Sequence, residues 1–314
     1  MRLRLGLAVA ALLCAANATA QPYPSRPITM VVGYPAGGPT DGVARMLANE
    51  LGERFGQRIV IENKGGAGGM LAAAGLAKSP PDGYTLLFTG IGALSYYRTL
   101  YKSLSYDPAK DIAPVAMLGT VPDFLLASPK LPVANLKDLI AWAKANPGKL
   151  NIGDSGAGTV PHIMAAAFAQ QAGIKVTHVH YRGAAGSVTD LIGGQIEAAA
   201  AAFLPQFDTM KALAVSWHSR MSALPNVPTF RENGYDLVIG LSIGLSAPAG
   251  TPDAVIEKVN AAVNEFLKGP RGREIGNTLG LQIVGGSPAD MRRFLEEESS
   301  RLEPVIKSAQ ITLD

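Results

Sequence analysis

The chain has 314 residues, 47% of them hydrophobic, with a formal net charge of +3 and a single cysteine, Cys14. A charge this close to neutral, without any Lys/Arg run, excludes a nucleic-acid or anionic-membrane surface. Loss of a leader that carries Cys14 leaves no thiol, which excludes disulfides, thiolate–metal ligation and thiol catalysis, so burial must supply the stability.

Residues 1–20 read as a signal peptide. Arg2 and Arg4 form a basic head, Leu5 to Ala16 an apolar stretch too short to span a bilayer, and Ala18-Thr19-Ala20 a cleavage site before Gln21. Lipoprotein processing at Cys14 is disfavoured, because Leu13 occupies a position that requires a small residue. The exported chain keeps about 290 residues, enough for one large or two smaller cores. No later apolar run is long enough to cross a membrane, and the mature chain is expected to be soluble and monomeric.

A recurring unit follows, in which a short β-type run leads through a Gly-rich turn into a helix-period stretch. It first appears as "PITMVVGYPAGGPTDGVARMLANEL", where Ile28 to Val32 suit a buried strand and Val43, Met46, Leu47 and Leu51 share one helical face. "RIVIENKGGAGGMLAAAGLAK" repeats it, "YTLLFTG" adds a buried strand, and "NLKDLIAWAKANPG" a helix opened by Asn135 and stopped by Pro147-Gly148. The unit returns as "LNIGDSGAGTVPHIMAAAFAQQAG" and "VTHVHYRGAAGSVTDLIGG". Near the end, one helix is expected to open at Thr251-Pro252 and another at Ser287, paired with Asp290. Strands alternating with helices predict an α/β fold with parallel strands. The two chain ends are expected to form one lobe and the middle another, with "IAPVAMLGTVPDF" and "LSIGLSAPAG" as two extended crossings that make a hinge. The expected division is residues 21–119 with 247–314 in lobe 1, 120–239 in lobe 2, and 240–246 as the second crossing.

Gly153-Asp154-Ser155-Gly156 raises the question of a serine nucleophile. All four histidines, His162, His178, His180 and His218, follow Ser155, so the chymotrypsin and subtilisin orders both fail. The order Ser155, Asp190 or Asp208, His218 survives as the hydrolase alternative, but Ala157 stands where that elbow ends in Gly, and no His-Gly-Gly-Gly loop accompanies it. The same residues suit an anion seat. A Gly-rich turn entering a helix directs backbone N–H groups along the positive end of the dipole, and Ser155 and Thr159 add hydroxyls. Any one such turn is equally explained by backbone geometry, and Thr40, Ser155 and Thr159 by N-capping. His162, in a first helical turn, is expected to be neutral and hydrogen-bonded rather than a metal ligand. His178 and His180 lack an evident second ligand pair, so no metal is expected. "KGGAGGMLAAAG" lacks dinucleotide spacing, and no cofactor is expected.

The segments "YPSRPITMVVGYPAGGPTDGVARMLANEL", "IVIENKGGAGG", "PDGYTLLF", "YDPAKDIAPVAMLG", "LIAWAKANPGKLNIGDSGAGTVPHI", "HVHYRGAAGSVTDLIGGQIE", "LPNVPTF" and "SAPAGTP" closely resemble, in order, the Bug (TctC-like) family of periplasmic solute receptors of tripartite tricarboxylate transport systems. The resemblance implies a non-enzymatic, two-lobed periplasmic binding protein of type II, with mixed sheets flanked by helices. Its ligand would be a small carboxylate, namely a dicarboxylate, a hydroxy acid or an aromatic acid, passed to membrane permease subunits; a sensor signalling to a membrane partner is the alternative within the same fold. The family's functional positions fall on Tyr34 to Asp41, Ala67 to Gly69, Ser155 to His162, and Arg182-Gly183. Within these, Ala36, Gly37, Gly38, Gly68 and Gly69 are expected as backbone donors from one lobe. Ser155, Gly158, Thr159 and His162 belong to the other, with Arg182 and Gly183 assisting. Asp41 is expected to order the first turn beside Thr40, and Tyr34 and Phe203 to shape an apolar wall. The chain departs from relatives in its compact "AAAAAFLPQFDTMKALAVSW" and in Gly240-Leu241-Ser242, where many carry Trp, so ligand identity transfers least.

Overall fold

The structure is a computed structural model that describes residues 22–202 and 210–313; the expected signal peptide and Phe203 lie outside the described residues. The first unit forms as expected. Strand β1 (Ile28–Val32) has Met30 and Val32 in one core and Val31 in another, the period-2 pattern of a strand covered on both faces. Gly38 occupies the N-cap of helix α1 (Pro39–Phe55), and Thr40 lies inside the helix. Val43, Leu47 and Leu51 of α1 are buried against the β1 side, each contributing about 1.5–3 kcal/mol by burial.

Strand β2 (Ile59–Asn63), helix α2 (Met70–Leu76) and strand β3 (Thr85–Gly90) follow, with β2 and β3 parallel to β1 on either side. Strand β4 (Ile112–Ala127) then runs for 16 residues and joins the two lobes. Its residues up to Pro122 pair antiparallel with β9 (Gly240–Pro248) and the short β10 (Gln282–Ile283). From Asp123 onward its partners are β7 (Ala198–Ala202) and β8 (Lys211–Val215). The exchange of partners between Pro122 and Asp123 marks the junction of two sheets. The second sheet continues through β5 (Leu150–Asp154), parallel to both β7 and the edge strand β6 (Val176–His180).

Helix α3 (Leu136–Ala145) opens at Asn135, whose side chain accepts from the Asp138 amide at 2.9 Å. Helix α4 (Val160–Ala172) is apolar nearly all round and correspondingly buried, and α5 (Ala184–Gly193) covers the opposite sheet face through Val188 and Leu191. The chain returns through α6 (Asp253–Lys268) and α7 (Pro270–Leu279) to the long α8 (Pro288–Ser308). The Ser287–Asp290 capping box on α8 is fully formed. The start of α6 differs from expectation: the Thr251 hydroxyl donates back to the Pro248 carbonyl at 2.8 Å, so Pro252 takes the N-cap position. No helix among the described residues is long and apolar enough to cross a membrane.

Candidate functional site

The Gly-rich turns after β1, β2, β5 and β6 face one cavity of about 220 Å³ at the sheet junction. Tyr34, Thr40 and Gly68 line it from one lobe, and Ser155, Thr159 and Ala184 from the other. Tyr96, Tyr97, Val121, Asp123 and Leu241 complete much of the wall. The structure therefore brings Tyr34, Thr40, Gly68, Ser155 and Thr159 together across the cleft. Ala36 and Gly37 are exposed outside the lining, as is Ala67. Arg182 is exposed and does not line the cavity, while Gly183 holds the N-cap of α5 at φ 109°.

The first turn is braced by Asp41. Its carboxylate accepts from the Gly37 amide at 2.9 Å, Arg45 Nε at 2.8 Å and Asn63 Nδ2 at 2.8 Å, while Asn63 also donates to the Tyr34 carbonyl. The Arg45 hydrogen bond is the main cause holding the Asp41 carboxyl down at about 2. In the second turn Ala67, Gly68 and Gly69 all have positive φ, and the Tyr97 phenol donates to the Gly68 carbonyl at 3.2 Å. A Cβ on Gly68 would meet Tyr97 Oη at 1.9 Å, so the turn and the tyrosine fit only without a side chain there.

In the third turn Ser155 Oγ donates to Thr159 Oγ1 at 3.3 Å, and Thr159 Oγ1 donates to the Gly156 carbonyl at 2.6 Å. Thr159 is the N-cap residue of α4 by position, yet its hydroxyl caps no helix amide. The Gly158 amide donates to His162 Nδ1 at 3.0 Å. Burial, reinforced by His178 and His180, holds the His162 imidazole down at about 3 and so neutral, as its place in the first helical turn suggested. Of the hydrolase alternative, Asp208 lies outside the described residues, while His218 lines a cavity separate from that of Ser155, with Arg231 and Asp236, and Asp190 accepts from the Tyr181 phenol at 2.6 Å.

The backbone-donor expectation needs correction at Gly37 and Gly69, and the amide of the third-turn Gly158 is likewise taken. The amides of Gly37, Gly69 and Gly158 already donate to Asp41, the Gly66 carbonyl and His162, and each thereby holds its own turn in shape. Two features escaped the sequence. Asp154 is fully buried, with His180 Nδ1 2.9 Å from its Oδ1, and ligand atoms of Asp154, His162 and His180 lie within 4.8 Å of one another. The β5–β6 register that sets Asp154 beside His180 is a tertiary fact. Asp123 is likewise fully buried in the cavity wall. A lone acid inside the apolar run "VAMLGTVPDFLLA" was the available signal.

Residues 43–311 match the family model described as the tripartite tricarboxylate transporter family receptor. The protein BugT of Bordetella pertussis is 34% identical over 96% of this chain and 95% of its own length. Among solved structures, Rpa4515 of R. palustris, solved with adipate, is 35% identical with a TM-score of 0.85, over 92% of this chain and 99% of that one. MatC of Rhodopseudomonas palustris, solved with bound malate, is 33% identical with a TM-score of 0.81, over 90% and 100%.

Proposed function

The chain belongs to the tripartite tricarboxylate transporter receptor family, and from that premise we propose that it captures a small carboxylate in the junction cavity and delivers it to membrane permease subunits. The observation that carries this reading is the lining itself: hydroxyls and Gly-rich turns from both lobes meet at one cavity of about 220 Å³. Ser155 and Thr159 sit where a helix N-terminus favours an anion. Adipate and malate, found on two relatives, are both small carboxylates. Residues 1–20 act as the export signal, so protein recovered from the periplasm begins at Gln21. N-terminal sequencing checks this, and a start at Met1 would refute it.

A thermal-shift panel tests the ligand class. A carboxylate of micromolar Kd at hundredfold excess stabilises the fold by about 2.7 kcal/mol, a melting shift of a few degrees in a chain this long. Sugars or phosphates that shift the melting point where carboxylates do not would overturn the reading.

A further inference from the structure

Asp123 is the first residue of β4 to pair with the second sheet, and it lines the junction cavity. Its side chain is fully buried, and both carboxylate oxygens lack a hydrogen-bond partner among the described residues. Such a group is costly to keep without a partner, and buried polar atoms are nearly always matched by something. No lysine, arginine or histidine lines the cavity among the described residues, and the segment 203–209, FLPQFDT, contains none. Among the described residues, no basic side chain in the wall therefore offsets the Asp123 charge. Tyr34, Tyr96 and Tyr97 line the same cavity, and aromatic faces attract cations. Burial pushes the Asp123 carboxyl well above the usual carboxylate range, which a cation placed beside it would reverse.

We propose that the ligand is a zwitterion, an amino carboxylate whose carboxylate lies at the Ser155–Thr159 turn and whose protonated nitrogen pairs with Asp123. This deepens the carboxylate reading and rests on it. A simple dicarboxylate would set its second negative charge against Asp123 with no basic side chain to separate them, and is disfavoured unless Asp123 stays protonated. The junction position gives the pair a second consequence: a ligand bound at both ends ties the β4 crossing to the third turn.

The test is isothermal titration of 4-aminobutyrate, norvaline, butyrate, glutarate and 4-aminobutyramide into the wild type and Asp123→Asn. At least one zwitterion should bind the wild type about 10- to 100-fold tighter than butyrate or glutarate, the range expected for a charge-assisted hydrogen bond. Asp123→Asn should remove that advantage while binding glutarate at least as well as the wild type. Glutarate or butyrate binding the wild type as tightly as both zwitterions, or a zwitterion affinity that Asp123→Asn leaves unchanged, overturns the proposal and leaves the carboxylate reading standing. Binding of neither zwitterion likewise overturns the proposal, whereas tight binding of 4-aminobutyramide alone would instead sink the carboxylate reading. Native mass spectrometry of protein purified from its own host gives a check independent of the variant: a retained ligand containing nitrogen is expected, and a nitrogen-free acid would contradict the assignment.

Discussion

Ser155 donates to Thr159 rather than to a base, and His162 Nδ1 accepts the Gly158 amide. Ser155→Ala should therefore weaken carboxylate binding by about 0.5–1.5 kcal/mol, the net value of one hydrogen bond. A fluorophosphonate should leave the serine unlabelled, and stoichiometric labelling would contradict the receptor assignment. Asp41 gives a pH prediction at the same scale. Its folded carboxyl sits at about 2 against an ordinary 3.8, so the unfolded state binds the proton first as pH falls. The stability it contributes is complete above about pH 4 and is lost as pH falls toward 2. Acid unfolding of Asp41→Asn should depend less steeply on pH across that window, and a parallel dependence would show that the Arg45 and Gly37 contacts contribute nothing. Gly68 combines φ of 60° with the Tyr97 contact. Gly68→Ala must displace a cavity-lining tyrosine, and calorimetry should register a lower melting temperature together with weaker ligand binding.

At the scale of elements, local sequence was sufficient wherever a cap or a period decides the outcome. The Ser287 hydroxyl accepts the Asp290 amide and the Asp290 carboxylate accepts the Ser287 amide. Ser287→Ala should cost about 1 kcal/mol, measurable by urea denaturation. An unchanged midpoint would mean that tertiary packing of Met291, Leu302 and Ile306 alone fixes where α8 begins. Thr251 shows the limit of the same reasoning, because its hydroxyl had two backbone targets and the turn behind it offered the better one. Strand β4 exceeds what local reasoning reaches. Its apolar run predicts an extended crossing, but the change of sheet between Pro122 and Asp123 depends on partners more than 70 residues away.

For the whole molecule, two strands, β4 and β9, pair along the junction while the turns of both lobes line the cavity between. A ligand that touches both lobes stabilises the closed arrangement, since it has more contacts there. Small-angle scattering should show a smaller radius of gyration with a saturating ligand than without it, and an unchanged radius would count against hinge closure about these strands. The C-terminal segment adds a link: Leu313 pairs with Tyr101 and would clash with a Cβ on Gly158, so the chain end braces the third turn. Deleting the last few residues should lower ligand affinity more than stability, as paired titration and melting measurements would reveal.

The sequence by itself determined the α/β alternation, the strand of Ile28 to Val32, the apolar face of α1, the caps at Asn135 and Ser287, and the placing of Ser155 and Thr159 at a helix entrance. Each of these rests on a period or a spacing of a few residues, which propensity and local hydrogen bonding fix without distant partners. It also carried the family through the order of its Gly-rich motifs. Tertiary structure alone decided which of those turns still offer free donors, because the amides of Gly37, Gly69 and Gly158 are claimed by neighbours already folded beside them. It alone placed Asp154 beside His180 through strand register and set Asp123 unpaired in the cavity wall. A buried charge is defined by what surrounds it, and its surroundings come from segments far apart in the chain.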